Sequence, residues 1–129
     1  MKTVITFGTF DVFHVGHLRI LQRARALGDR LVVGVSTDKL NYEKKGRLPV
    51  YSEQERVEIV SSIRCVDAVF LEESLEEKLH YISCRNASVL AMGDDWKGAF
   101  DACSSICEVV YLARTPSIST TEIIEKFKS

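Results

Sequence analysis

Along this chain, short runs of β-branched and apolar residues alternate with segments whose apolar positions recur every three or four residues. "TVITF" (Thr3 to Phe7) is continuous and apolar and ends against Gly8, the pattern of a strand covered on both faces. From Gly16 to Leu27, the residues Ile20, Leu21, Ala24 and Leu27 share one helical stripe, with Arg19, Arg23 and Arg25 largely off it. "RLVVGVS" predicts a second buried strand. Residues 38 to 51, "DKLNYEKKGRLPVY", break the pattern with charge, a glycine and a proline, and are expected to form a basic loop. "SEQERVEIVSSI" opens with Ser52 and carries Glu55 three positions on, a capping box that predicts a helix. "DAVFL" predicts a third strand and "LEEKLHYISC" a helix, with Glu72, Glu73, Glu76 and Glu77 read as its solvated start. "SVLAM" is a fourth strand running into "GDDW", "AFDACSSI" a weaker helix and "EVVYL" a fifth strand. "STTEIIEKF" closes the chain with a second capping box, Ser119 and Glu122.

Strands alternating with helices at this spacing predict an α/β fold: a doubly wound, Rossmann-like sheet of five parallel strands with helices on both faces. No repeat, low-complexity tract or linker divides the sequence, so residues 1–129 are expected to form a single domain. In such sheets ligands gather beyond the carboxyl ends of the strands, where strand order reverses. Four irregular segments follow strands here: "GTFDVFHVGH", "STDKLNYEKKGR", "GDDW" and "ARTPSISTT".

Composition narrows the ligand. The chain has 17 basic and 18 acidic side chains, a net charge of −1, which gives no bulk field for nucleic acid or an acidic membrane. An anion site must therefore be local. No apolar run nears the ~20 residues of a membrane span, and "MKTVITFGTFD" lacks the form of a secretory signal; a cytoplasmic protein is expected. Cys65, Cys84, Cys103 and Cys107 form no C-x-x-C pair and read as free thiols, and Cys103 with Cys107 supplies too few ligands for zinc.

The first turn is the richest segment. Gly8 lets the chain leave the strand, and Gly16 opens the backbone at a helix N-terminus, where N–H groups and the dipole favour an anion. His14 and His17, three apart, project to one side if both join the first helical turn. The residues alone leave three readings: a phosphate site, a metal site, or ordinary loop histidines. A pair of imidazoles at a positive helix end favours phosphate. After the fifth strand, Arg114 adds a permanently charged donor fork, and Ser119 and Thr120 add hydroxyls beside another helix start.

"GTFD" and "HVGH", followed in order by "IRCVDAV", "MGDDW" and "RTPSISTT", match the H-x-G-H nucleotidyltransferase superfamily. End to end the chain resembles the glycerol-3-phosphate cytidylyltransferases. The resemblance implies an enzyme joining CTP and glycerol 3-phosphate into CDP-glycerol and pyrophosphate, for teichoic acid or capsule-type polymers. It implies that Gly8, Thr9, Phe10 and Asp11 lie against the nucleotide, that His14, Gly16 and His17 meet its phosphates, and that Arg114, Ser119 and Thr120 hold the β- and γ-phosphates. It places Gly93, Asp94, Asp95 and Trp96 around the cytosine, and Lys44, Lys45, Arg47, Arg64 and Asp67 toward the acceptor. It also implies Mg²⁺ on the triphosphate, oriented by Asp11, and a homodimer. Cys65 stands where the family has tyrosine, Leu75 where tryptophan is common, and Pro116 and Ser117 where an acidic residue and glycine are common. The basic segment is one residue longer, so Lys45 or Arg47 replaces a second lysine.

The expected chemistry needs no nucleophilic side chain. A phosphate monoester, with a second pKa near ~6, is already an anionic nucleophile at neutral pH. Related readings keep the chemistry and change the partner: another cytidylyl- or adenylyltransferase acting on ethanolamine phosphate, a sugar phosphate or FMN. A non-catalytic nucleotide-binding module and a metal-dependent hydrolase are the readings outside that class.

Overall fold

The computed structural model describes residues 1–113 and 120–128. Five strands, β1 (Thr3–Gly8), β2 (Arg30–Ser36), β3 (Ala68–Glu72), β4 (Val89–Gly93) and β5 (Glu108–Leu112), form one sheet in the order β3-β2-β1-β4-β5, every neighbouring pair parallel. Strand order reverses beside β1, which puts the crevice of a doubly wound sheet at the carboxyl end of that strand.

Alternation along the central strands feeds two cores. Val4, Leu31, Val33, Val35, Val89 and Ala91 face α1 (Val15–Arg25) and α3 (Glu53–Ser61), which contribute Leu21, Ala24 and Val60. Ile5, Phe7, Val32, Leu90 and Met92 face the opposite side, where α4 (Lys78–Cys84) contributes Ile82 and a short 3-10 turn, Asp101–Ser105, contributes Cys103. The last helix, α5 (Thr120–Lys128), returns along the cleft, with Ile124 and Lys128 on its wall.

Two expectations are corrected. The segment 38–51 is not all loop: Asp38–Lys45 forms a helix, α2. Thr37 caps it by accepting from the Leu40 N–H at 3.1 Å, and Gly46, left-handed at φ 72°, ends it. Local capping makes a helix there that has almost no apolar stripe. The solvated helix start also fails at Glu72, which is the last residue of β3 and 2% exposed; the helix begins later, as a 3-10 turn at Leu75–Glu77 leading into α4.

Candidate active site

The turn after β1 is strained and held from outside. Phe10 and Val12 both adopt positive φ, 54° and 47°, a conformation costly for side-chain-bearing residues, above all a β-branched one. Gly8 itself is not in that region. A Cβ on it would lie 2.8 Å from the Phe10 ring, so glycine is needed for space. Asp11, buried, fixes the turn: Oδ1 accepts from the N–H groups of Val12 (3.1 Å) and Tyr51 (2.9 Å), and Oδ2 from that of Val50 (2.7 Å). Arg56, fully buried, donates to the carbonyls of Thr9 (2.9 Å), Ser36 (2.7 Å) and Tyr51 (3.1 Å) and to Asp38 Oδ1 (2.7 Å). One guanidinium thus ties together the ends of β1 and β2 and the chain entering α3.

The histidines follow from this turn. His14 is the N-cap of α1, its Nδ1 accepting from the Gly16 N–H at 3.0 Å; His17, three residues on, returns its own Nδ1 to the His14 N–H at 3.2 Å. This is a capping box built from imidazoles. With both Nδ1 atoms accepting, each neutral ring carries its proton on Nε2. The rings stack with centroids 3.9 Å apart, and Phe10 and Phe13 flank His17 at 5.6 and 5.3 Å. Burial lowers the pKa of His17 to about 4, helped by His14 and opposed by Asp11; burial also lowers that of His14. At neutral pH the pair therefore offers two uncharged Nε2–H donors. The Gly16 N–H, expected to meet the anion, is instead spent on the His14 cap.

A polar seam joins β1 to α2. The Thr9 hydroxyl donates to Asn41 Oδ1 (2.8 Å), and the buried Asn41 amide donates to Ser36 Oγ and the Thr37 carbonyl (2.8 Å each). Asn41 anchors the helix that carries Lys44 and Lys45 over the cleft. Opposite, Lys78 and Glu72 form a buried ion pair, with Lys78 Nζ 4.1 Å from the Phe7 ring centroid and 5.3 Å from that of Phe100. Burial draws Lys44 and Lys78 below the usual lysine range, against the pull of Glu72 on both.

These groups border one cavity of about 780 Å³ at the carboxyl ends of the strands. It brings together Gly8, Thr9, Phe10, Asp11, His17, Lys44, Lys45, Arg47, Gly93, Asp95 and Trp96 of the expected residues. Neither His14 nor Asp94 lines it: His14 stacks on His17, which does, and Asp94 is exposed at the start of a 3-10 turn. Arg64 and Asp67 are at the other end of the sheet. Asp67 Oδ2 accepts from the N–H of Leu31, at the start of β2, and lies 3.5 Å from Arg25; Arg64 is exposed in the turn before it. Within this chain neither lines the cavity. Arg114 and Ser119 lie outside the described residues, as does the side chain of Thr120.

The protein alone does not supply a full ligand set for the Mg²⁺ expected at Asp11; the nucleotide's phosphates would provide most of it. Both Asp11 oxygens are engaged by backbone N–H groups, and among the described residues no three His, Cys, Asp or Glu side chains could share an ion. The cleft residues missed in the sequence are Ser36, Asn41, Glu72, Lys78 and Phe100, with Arg56 behind them. Only long-range packing distinguishes Lys78 and Glu72 from the solvated charges around them.

The family described as cytidylyltransferase-like matches residues 5–126. The chain is 49% identical to the glycerol-3-phosphate cytidylyltransferase of Bacillus subtilis (strain 168) over 98% of its own length and 97% of that protein. It is 46% identical to the protein of the same name from Bacillus spizizenii, over 95% of each chain. Among solved structures, the lipopolysaccharide core biosynthesis protein of Thermoplasma volcanium superposes with a TM-score of 0.78 at 25% identity, over 89% of this chain and 98% of that one. The strand order, the imidazole cap and these full-length similarities agree: the chain belongs to the cytidylyltransferase-like family.

Proposed function

We propose that the chain is a glycerol-3-phosphate cytidylyltransferase, making CDP-glycerol and pyrophosphate from CTP and glycerol 3-phosphate. The observation that carries this reading is the pair of stacked Nε2–H imidazoles beside a lysine-lined cleft, in a chain similar over its whole length to enzymes of that name. A phosphate oxygen of the acceptor attacks the α-phosphorus of CTP in line, and the bond to the β-phosphate oxygen breaks to release pyrophosphate. The acceptor is already ionised, so no general base is required. Catalysis is positioning plus stabilisation of charge on the phosphoryl oxygens. His14 and His17 donate hydrogen bonds to those oxygens without carrying charge themselves; Lys44 and Lys78 supply the cationic field for the incoming phosphate.

Asp95 and Trp96, after β4, receive the cytosine, and Arg114, Ser119 and Thr120 are assigned to the β- and γ-phosphates on the strength of the family resemblance. Mg²⁺ enters as part of the substrate, bound to the nucleotide's own phosphates. The reading extends to a cytoplasmic homodimer. It is tested by incubating the protein with each nucleoside triphosphate and a panel of phosphorylated alcohols, measuring pyrophosphate and the coupled product. CTP with glycerol 3-phosphate should be the preferred pair. Turnover with ATP and none with CTP overturns it.

A further inference from the structure

We propose that Glu72 is a specificity-determining residue: its carboxylate accepts a hydroxyl of a neutral polyol phosphate and turns away acceptors bearing a second anionic group. This rests on the reading above, in which Lys44 and Lys78 draw in the acceptor's phosphate.

The argument begins from a charge of the wrong sign. A cleft that gathers two anions has a carboxylate set into its wall, and that carboxylate is 2% exposed. An ion pair buried this way is a poor stabilising device, because well-packed apolar side chains of similar volume serve as well or better. Only Oε2 is used by Lys78; Oε1 takes no hydrogen bond from any described residue. No fully buried side-chain nitrogen or oxygen among the described residues lacks a partner, so Oε1 must reach the cavity surface. An acceptor-only atom there calls for a donor from the ligand.

Position identifies which ligand. Glu72 ends β3, on the β3/β2 side of the strand-order reversal, while Asp95 and Trp96 follow β4 on the other. With the base placed beside Trp96, the acceptor falls on the Glu72 side, among Ser36, Lys44, Leu75 and Lys78. A hydroxyl satisfies Oε1. A carboxylate in the same place meets like charge in a desolvated wall, the repulsive element by which a site rejects a near-isostere.

The test compares glycerol 3-phosphate with 3-phosphoglycerate, in which a carboxylate replaces the terminal hydroxymethyl group, under saturating CTP in the wild type and Glu72→Gln. The wild type should favour glycerol 3-phosphate, and Glu72→Gln should shrink the ratio of the two kcat/KM values at least about tenfold, with KM for CTP nearly unchanged. A ratio that stays within about twofold overturns the proposal and leaves Glu72 only a holder of Lys78. If Glu72→Gln does not fold, Glu72→Gln with Lys78→Gln keeps a neutral hydrogen-bonded pair, and its ratio is read the same way. A wild type that uses neither acceptor sinks the functional reading and this inference with it; an active wild type with an unmoved ratio sinks this one alone.

Discussion

The turn after β1 and the corner after β3 both deliver polar groups to the same cleft, by opposite means. In the first, the working side chains are held by backbone a few residues away: His14 by Gly16, His17 by His14, Asp11 in part by Val12. In the second, Glu72 and Lys78 are held by each other and by rings from distant elements, Phe7 of β1 and Phe100 after β4. The local arrangement fixes atom direction, hence tautomer. The long-range one fixes charge at the cost of desolvation. Damage at the first should therefore appear mainly in turnover, and damage at the second mainly in stability.

The largest effect expected is at the β3 corner. Lys78→Met strands a buried carboxylate and should cost about 3–5 kcal/mol in urea unfolding. Adding Glu72→Leu should restore most of that stability while leaving activity poor. If the double variant stays as unstable as the single one, the corner is not held by charge pairing and the contrast is wrong. At the other site, His17→Ala should lower kcat by about 10²–10³, the usual cost of losing one preorganised donor, with about 1 kcal/mol of stability lost with the hydrogen bond it accepts from the His14 N–H.

Acid sharpens the same contrast. With its pKa lowered to about 4, folded His17 refuses a proton that the unfolded chain accepts below its ordinary 6.5. Stability is therefore full above pH 6.5 and declines as pH falls toward 4, by roughly 3 kcal/mol in all. Protonation would also place hydrogen on Nδ1 and break the bond from the His14 N–H. Urea melts across this range should show the slope in the wild type and a shallower one in His17→Ala. The smallest effect belongs to Gly46→Ala: a left-handed alanine at φ 72° should cost about 1 kcal/mol, with KM for the acceptor rising as the helix end bearing Lys44 and Lys45 loosens.

What could be read from the sequence divides along the same line. The strands, their parallel order and the His14–His17 turn were legible because periodicity and capping are local signals. The α2 helix was hidden by its charge, since Thr37 and Gly46 hold it while its interior lacks an apolar stripe. Glu72 and Lys78 were hidden because the residues that bury them lie far away in the chain; within "LEESLEEKL" they look like their solvated neighbours. Arg64 and Asp67 were sent to the acceptor by resemblance, yet in this chain Asp67 pairs with the start of β2. The histidines add a point that spacing does not show: burial keeps them neutral, so they serve as uncharged donors.

Nitrogen NMR of the two histidine side chains, followed through a titration with CTP, tests that last point most directly. At neutral pH both rings should be uncharged, protonated at Nε2 and bare at Nδ1, and both Nε2–H signals should shift as the nucleotide binds. Rings charged at neutral pH, rings protonated at Nδ1, or signals unmoved by CTP would contradict the account.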